Sequence, residues 1–194
     1  MLLQILTYTH HLTTMLFGIF LSAFFLGVKQ NKKNVCILLS GAAVSGLFFL
    51  ICNTVFGSLF TEAVYPIFVH LPLFLLLVFY YRFRWLPSII SIMTAYLCCQ
   101  FSNWAGIFAL SLSGLEWVYY LVRIIVTVAV FAFLSRYLCQ TTALLFAKSD
   151  RELYILGAMP FVYYVFDYST TKYSMLLYSG NKVVVEFLAF AMCI

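Results

Sequence analysis

The chain has 194 residues, of which 65% are hydrophobic, 20% aromatic and only 9% charged, and its formal net charge is +5. A water-soluble domain carries roughly 25% charged residues, so this composition excludes a soluble globular fold. The apolar stretches are continuous and do not alternate with polar residues over ten-residue segments, which excludes a transmembrane β-barrel. The positive charge does not indicate nucleic-acid binding, because the basic residues lie in short clusters between apolar runs.

Taken in chain order, windows of about 20 apolar residues predict six membrane spans and part of a seventh. The predicted spans are residues 5–28, 35–56, 64–81, 86 to between 101 and 110, 117–137 and 153–166, with the seventh starting near Val183. After Glu186 the apolar run continues to Ile194 without a basic flank, so we expect the seventh span to continue beyond the sequence given. The expected fold is an all-α, polytopic transmembrane helix bundle in a bacterial cell membrane, crossing the lipid bilayer several times.

The distribution of charge predicts the orientation of the bundle. Eight basic residues are assigned to the odd-numbered predicted loops: Lys29, Lys32 and Lys33 to the first, Arg82 and Arg84 to the third, and Arg136, Lys148 and Arg151 to the fifth. The even-numbered loops hold the acidic residues Glu62, Glu116 and Asp167, with only Lys172 and Lys182 as basic residues. By the positive-inside rule the odd-numbered loops are cytoplasmic and the N-terminus is outside. The seventh span would then leave the membrane on the cytoplasmic side.

Ionisable side chains within a membrane are costly and are therefore functional candidates. Arg123 lies about two turns into the fifth predicted span. It could pair with an anionic ligand or with Glu186, or it could extend towards the outer interface past Tyr119 and Tyr120.

The histidines allow similar alternatives. His70 stands two residues before Pro72, so it could donate to a carbonyl that the proline leaves free around residues 66–68, or it could bind a ligand or a proton. His10 and His11 are adjacent and face different sides of a helix, which makes them a poor metal pair. We expect both at the outer membrane interface.

The stretch FDYSTTKYS, residues 166–174, is the most polar segment among the outer loops. It could cap the helix before it, or it could line an outward-facing pocket together with the turn LYSGNK at residues 177–182. The candidate ligand-binding residues are His70, Arg123, Asp167, Tyr168, Lys172 and Glu186. No metal site is expected, because the six cysteines lack zinc-site spacing, and no Walker A, H-E-x-x-H or G-x-S-x-G motif indicates catalysis.

Four segments in this order, HLPLFLLLVFYY (70–81), TAYLCCQ (94–100), FDYSTTKYS and LYSGNKVVVEF (177–187), resemble the membrane region of bacterial sensor histidine kinases of the GHKL type. The chain is similar to the quorum-sensing peptide receptors of Firmicutes. The resemblance implies that residues 1–194 form a transmembrane sensor domain, followed by a cytoplasmic dimerisation helix with a phospho-accepting histidine and a domain that binds ATP and Mg²⁺. It also implies a homodimer, an extracellular ligand such as a peptide, and a response regulator as partner. None of the three histidines present fits the phospho-acceptor, because all lie in or near the membrane.

The alternative is a small-molecule transporter component, such as the membrane subunit of a vitamin uptake system. Such subunits have about this length and about six helices, and they need no catalytic residues. The even-numbered loops offer few polar groups for a substrate, however, and the seventh span would have no explanation. An intramembrane enzyme is a third class, but the chain lacks paired carboxylates or histidines at helical spacing.

Overall fold

The computed structural model describes residues 2–57, 60–61 and 64–169, and these residues form helices and short turns without a β-strand. The described helices are α1 (Leu2–Phe25), α2 (Lys32–Phe56), α3 (Pro66–Tyr80), α4 (Trp85–Ser113), α5 (Glu116–Phe146) and α6 (Asp150–Asp167). Three of them, α2, α4 and α5, are long and apolar enough to cross a membrane. The all-α class is thus confirmed for the described residues, and these three helices are consistent with a membrane protein. The predicted count of six spans stays a prediction, and the predicted seventh span lies outside the described residues.

Each of the six predicted spans overlaps one helix, but α4 and α5 extend well past their predicted last residues. α5 continues nine residues past the predicted end. The polar residue Thr142 does not interrupt it, because its hydroxyl donates to the backbone oxygens of Leu138 and Cys139 in the same helix. α4 reaches Ser113 for the same reason, and it ends at Gly114, whose φ of 66° is the left-handed conformation that closes many helices.

Six residues assigned to loops lie in helices: Lys32, Lys33, Glu116 and Arg151 in the first turn of a helix, and Arg136 and Asp167 further along. Arg136 belongs to a π-helical turn of α5, Leu134–Leu138, and the prediction that it lies in the fifth loop is wrong. Asp167 is the last residue of α6, with its side chain buried, and is therefore not part of an outer loop. Around Arg136 polar residues lowered the local hydropathy without ending the helix, whereas at Asp167 the helix ends one residue later than predicted.

α3 is irregular around Pro72. Proline has no N–H to donate, so the regular hydrogen-bonding pattern is interrupted. The N–H of Leu71 donates instead to the oxygen of Pro66, five residues earlier, and the N–H of Tyr81 donates to the oxygen of Leu76 at 3.1 Å. α3 consequently consists of two π-helical turns, Pro66–His70 and Leu76–Tyr80, on either side of a short α-helical segment.

α4 is the central helix of the bundle. It packs against α1, α5 and α6, and α1 packs in turn against α5. The approach between α4 and α6 is close at Gly157, where a Cβ atom would lie 2.7 Å from the side chain of Ile90. α2 contacts mainly α1 and α3 and leaves much of its apolar surface exposed, as a helix in contact with lipid does.

The three basic loops meet at one end of the bundle. Arg84, just before α4, forms an ion pair with Asp150 at the start of α6 and donates to the backbone oxygen of Lys148 at 3.4 Å. The hydroxyl of Tyr81, at the end of α3, donates to Asn34 in the first turn of α2 at 3.5 Å. These contacts place the loops around residues 29–34, 81–84 and 147–150 side by side, as their shared charge predicts. We call this the basic end.

Candidate functional site

A buried carboxylate joins α6 to α4. Asp167 is only 3% exposed, and the hydroxyl of Tyr96 in the middle of α4 donates a short hydrogen bond to its Oδ2. A charged group in such a place is costly unless hydrogen bonds stabilise it, and Tyr96 supplies one. Within the FDYSTTKYS segment, Asp167 and Tyr168 are buried against the bundle, and Tyr168 is the C-cap residue of α6. Both roles considered for this segment stay predictions, since residues 170–174 lie outside the described part of the chain.

His70 joins α3 to the same part of α6. Its Nδ1 lies 2.8 Å from the hydroxyl of Tyr164, one helical turn before Tyr168. The simpler role considered for His70, a hydrogen bond to a carbonyl freed by Pro72, is wrong: the oxygen of Pro66 accepts from the backbone of Leu71 instead. The imidazole is thereby available for a partner on another helix.

Aromatic rings surround these two hydrogen bonds. Tyr164 and Tyr168 stack with their centroids 4.8 Å apart, and the ring of Tyr96 lies 5.0 Å from Tyr164 and 5.8 Å from Tyr168. The ring of Tyr65 packs edge-on against His70 at 5.3 Å. We call this group the tyrosine cluster; its members are Tyr65, His70, Tyr96, Tyr164, Asp167 and Tyr168. It holds three of the six candidate residues.

Three members of the tyrosine cluster, Tyr65, Tyr96 and Tyr164, were not among the candidates. Tyr164 could have been found, because the sequence YYVFDY places Tyr164 and Tyr168 four residues apart and so on one face of a helix. Tyr65 and Tyr96 stand among apolar residues with no such signal.

Arg123 lies apart from this cluster, between α5 and α4. Its Nη1 donates a short hydrogen bond to the hydroxyl of Tyr119, which donates to Oδ1 of Asn103 at 3.3 Å. The amide of Asn103 donates in turn to Gln100 at 3.2 Å. The guanidinium also lies over the Tyr119 ring, 5.0 Å from its centroid. We call these four residues the arginine chain.

The position of Arg123 depends on a glycine in α4. A Cβ atom at Gly106 would collide with Cγ and Cδ of Arg123, so only glycine lets the arginine stem lie across α4. The stem of the side chain therefore packs against α4, while its guanidinium reaches back along α5 to Tyr119. Its other proposed partner, Glu186, and the candidate Lys172 lie outside the described residues.

His10 is buried near Arg123 and close enough to be influenced by its charge. The ring lies 5.8 Å from that of Tyr120, and its Nδ1 is 3.3 Å from the hydroxyl of Thr14. We expected this histidine at the interface, but packing between α1 and α5 places its side chain in the bundle interior.

The polar side chains of the tyrosine cluster and the arginine chain are suited to binding a ligand by hydrogen bonds and charge. In the described part of the chain no group of three or more His, Cys, Asp or Glu side chains could hold a metal ion. The tyrosine cluster presents a carboxylate, an imidazole and phenol hydroxyls on three helices, and the arginine chain presents a cation on α5. These groups can form directional hydrogen bonds with a ligand and connect helices that could move relative to one another.

Comparison with known proteins gives no match to this chain, whether with family profiles, with curated proteins or with solved structures. The function is therefore inferred from residue chemistry and packing.

Proposed function

We propose that residues 1–194 form the membrane-embedded sensor domain of a GHKL-type sensor histidine kinase, which detects an extracellular ligand such as a peptide. In this proposal the basic end faces the cytoplasm, six spans and a seventh cross the bacterial membrane, and the domain acts as a homodimer. A cytoplasmic kinase region would use ATP and Mg²⁺ to phosphorylate a histidine and pass the phosphoryl group to a response regulator.

The observation that carries the proposal is the tyrosine cluster. Buried polar groups in a membrane cost several kcal/mol when unsatisfied, so an intramembrane carboxylate and imidazole are functional candidates. His70–Tyr164 and Tyr96–Asp167 are side-chain hydrogen bonds that join the end of α6 to α3 and α4. A ligand that competes for either bond would release the end of α6.

This arrangement suggests how a signal could cross the membrane. α6 starts at the basic end, next to Arg84, and its last turn carries Asp167. A ligand that binds one arrangement of this last turn better than another would shift the population between the two. The segment after α6 would follow the shift and carry it back towards the basic end.

The proposal predicts a loss of signalling in Asp167→Asn. The amide keeps the size of the side chain but removes the charge that accepts from Tyr96. In the native host, we expect spent medium to change a set of transcripts in the wild type, and this change to be lost or to need about tenfold more spent medium in the variant. RNA sequencing measures the response, and immunoblotting of membranes verifies equal amounts of protein.

Glu116→Gln is the matched control, because Glu116 is an exposed carboxylate at the start of α5. It should respond like the wild type. A wild-type response in Asp167→Asn at equal protein level would contradict the proposed role of the cluster. Accumulation of a labelled small molecule that depends on this gene, with no transcript response, would favour the transporter instead.

A further inference from the structure

α5 carries two buried polar atoms that have no hydrogen-bond partner among the described residues. They are Nε of Arg123 and the hydroxyl oxygen of Thr127, one helical turn further along the same face. Thr127 is 2% exposed. Most buried polar atoms in folded proteins are hydrogen-bonded, so two neighbouring exceptions need an explanation.

The hydroxyl of Thr127 differs from many of the helical hydroxyls among the described residues. Thr94 and Ser22, for example, donate to the backbone oxygen one turn earlier, at 2.7 Å and 2.6 Å. Thr127 makes no such bond within the described residues, although a backbone oxygen lies one turn earlier in α5, as it does for Thr94 and Ser22 in their helices. Its hydroxyl is thus available to a partner that also contacts Arg123.

The charge of Arg123 is likewise without a neutralising partner in the described part of the chain. Its hydrogen bond goes to the neutral phenol of Tyr119, and the ion pairs formed there involve Arg84 and Lys148 only. A guanidinium prefers a planar anion that accepts from two of its N–H groups, and Nε lies on an edge suited to a carboxylate. A carboxylate would satisfy Nε, neutralise the cation and accept from the hydroxyl of Thr127.

The location favours a ligand that enters from the end opposite the basic loops. Arg123 lies seven residues after Glu116, the first residue of α5, or about 10 Å along the helix. It faces Gly106 and its charge reaches His10, whereas Leu121 and Ile125 occupy the exposed side of α5. The cation therefore points between α1, α4 and α5, away from the surface that contacts lipid.

We propose that Arg123 and Thr127 form an anion-binding site that recognises the carboxylate of a soluble ligand. The inference rests on the proposed function for its biological meaning, since it names the chemical class of group that the sensor recognises. It differs from the tyrosine cluster in position and in charge. A ligand with a carboxylate at Arg123 and a cationic or hydrogen-bonding group at Asp167 would use both.

The test uses the full chain in nanodiscs of phosphatidylcholine, with benzoate as the probe and benzamide as its uncharged analogue at constant ionic strength. The resonance of the Arg123 Nε–H, assigned in ¹⁵N-labelled protein, reports binding. We expect a saturable shift with benzoate, affinity weaker by about tenfold or more for benzamide, and no saturable binding in Arg123→Gln by calorimetry. Arg136→Gln is the matched control on the same helix and should bind like the wild type.

Thr127→Val keeps the shape of the side chain, so it should fold and yet bind benzoate several-fold more weakly. Equal binding of benzamide and benzoate, or unchanged affinity in Thr127→Val and Arg123→Gln, would overturn the proposal. Binding that appears only in Glu186→Gln would overturn it too, because the carboxylate would then come from the chain itself. Loss of the benzoate response in phosphatidylglycerol nanodiscs would assign the site to a lipid headgroup and overturn the soluble ligand. These readouts need no kinase, so they stand apart from a failure of the transcript response.

Discussion

The phenol of Tyr96 connects two features that lie far apart in the sequence. It donates to Asp167, 71 residues later, and its ring packs against Tyr164 and His70. Hydrogen bonds to a charged acceptor contribute more to folding stability than hydrogen bonds between neutral groups do. Loss of the donor destabilises the fold when the acceptor is buried. Tyr96 therefore has a role in stability as well as in the proposed signalling.

We predict that Tyr96→Phe lowers the free energy of unfolding by about 1–3 kcal/mol, because the buried carboxylate of Asp167 loses a donor while the ring remains. Thermal unfolding in detergent measures the change. Tyr137→Phe is the control: Tyr137 is exposed on α5, and removal of its hydroxyl should shift stability by less than about 0.5 kcal/mol. Equal melting temperatures for Tyr96→Phe and the wild type would show that the bond contributes little.

Among the described helices, α4 contributes residues to both the tyrosine cluster and the arginine chain. Tyr96 serves the tyrosine cluster, and Gln100 and Asn103 belong to the arginine chain. These three residues recur at helical spacing and share one face of α4. Packing of α4 against α5 and α6 therefore sets the geometry of both groups, and small residues at the contacts permit it.

We predict opposite effects for two Gly→Ala substitutions. In Gly157→Ala the new methyl group would lie 2.7 Å from Ile90, so overpacking between α4 and α6 should destabilise the bundle by about 1–3 kcal/mol. In Gly18→Ala nothing lies within 4 Å of the new methyl group, so lower backbone entropy of the unfolded chain should stabilise α1 by about 0.5–1 kcal/mol. Melting temperatures in the same detergent compare the two, and a fall in both would contradict this account.

At the scale of the whole molecule, contacts between distant loops give the bundle a basic end. Arg84 pairs with Asp150, and Tyr81 reaches Asn34. An exposed ion pair of this kind contributes only about 0–1 kcal/mol to the free energy of unfolding. The contact is informative mainly because it shows which loops are neighbours. The charge pattern of the sequence and the packing of the helices agree on which loops lie together.

We predict that thiol labelling separates the two ends. In a Cys36→Ser background, a membrane-impermeant maleimide should label Ser113→Cys in intact cells, and Lys33→Cys and Lys148→Cys only after the membrane is permeabilised. All three positions are exposed. Labelling of all three in intact cells would contradict the proposed topology, and labelling of Lys33→Cys and Lys148→Cys from opposite sides would contradict the shared basic end.

The helices were predictable and the tyrosine cluster was only partly so, for physical reasons. Long apolar runs report burial in lipid directly, so every described helix overlaps a predicted span. Helix ends were missed where Thr142 and Ser113 satisfy their hydroxyls within the helix, because hydropathy counts them as polar. Tyr96 was missed because its importance depends on Asp167, and nothing local in the sequence signals a partner on another helix.

The shape of α3 has a consequence for the surrounding lipid. The helix from Pro66 to Tyr80 has 15 residues and so covers about 22 Å at the usual α-helical rise, and its two wide turns shorten it further. The hydrocarbon layer is about 30 Å thick, so in the proposed six-span topology acyl chains beside α3 would compress or the flanking residues would be drawn inwards. Since α3 also carries His70, which contacts Tyr164 of α6, that topology would connect bilayer thickness to the residues that hold α6 in place.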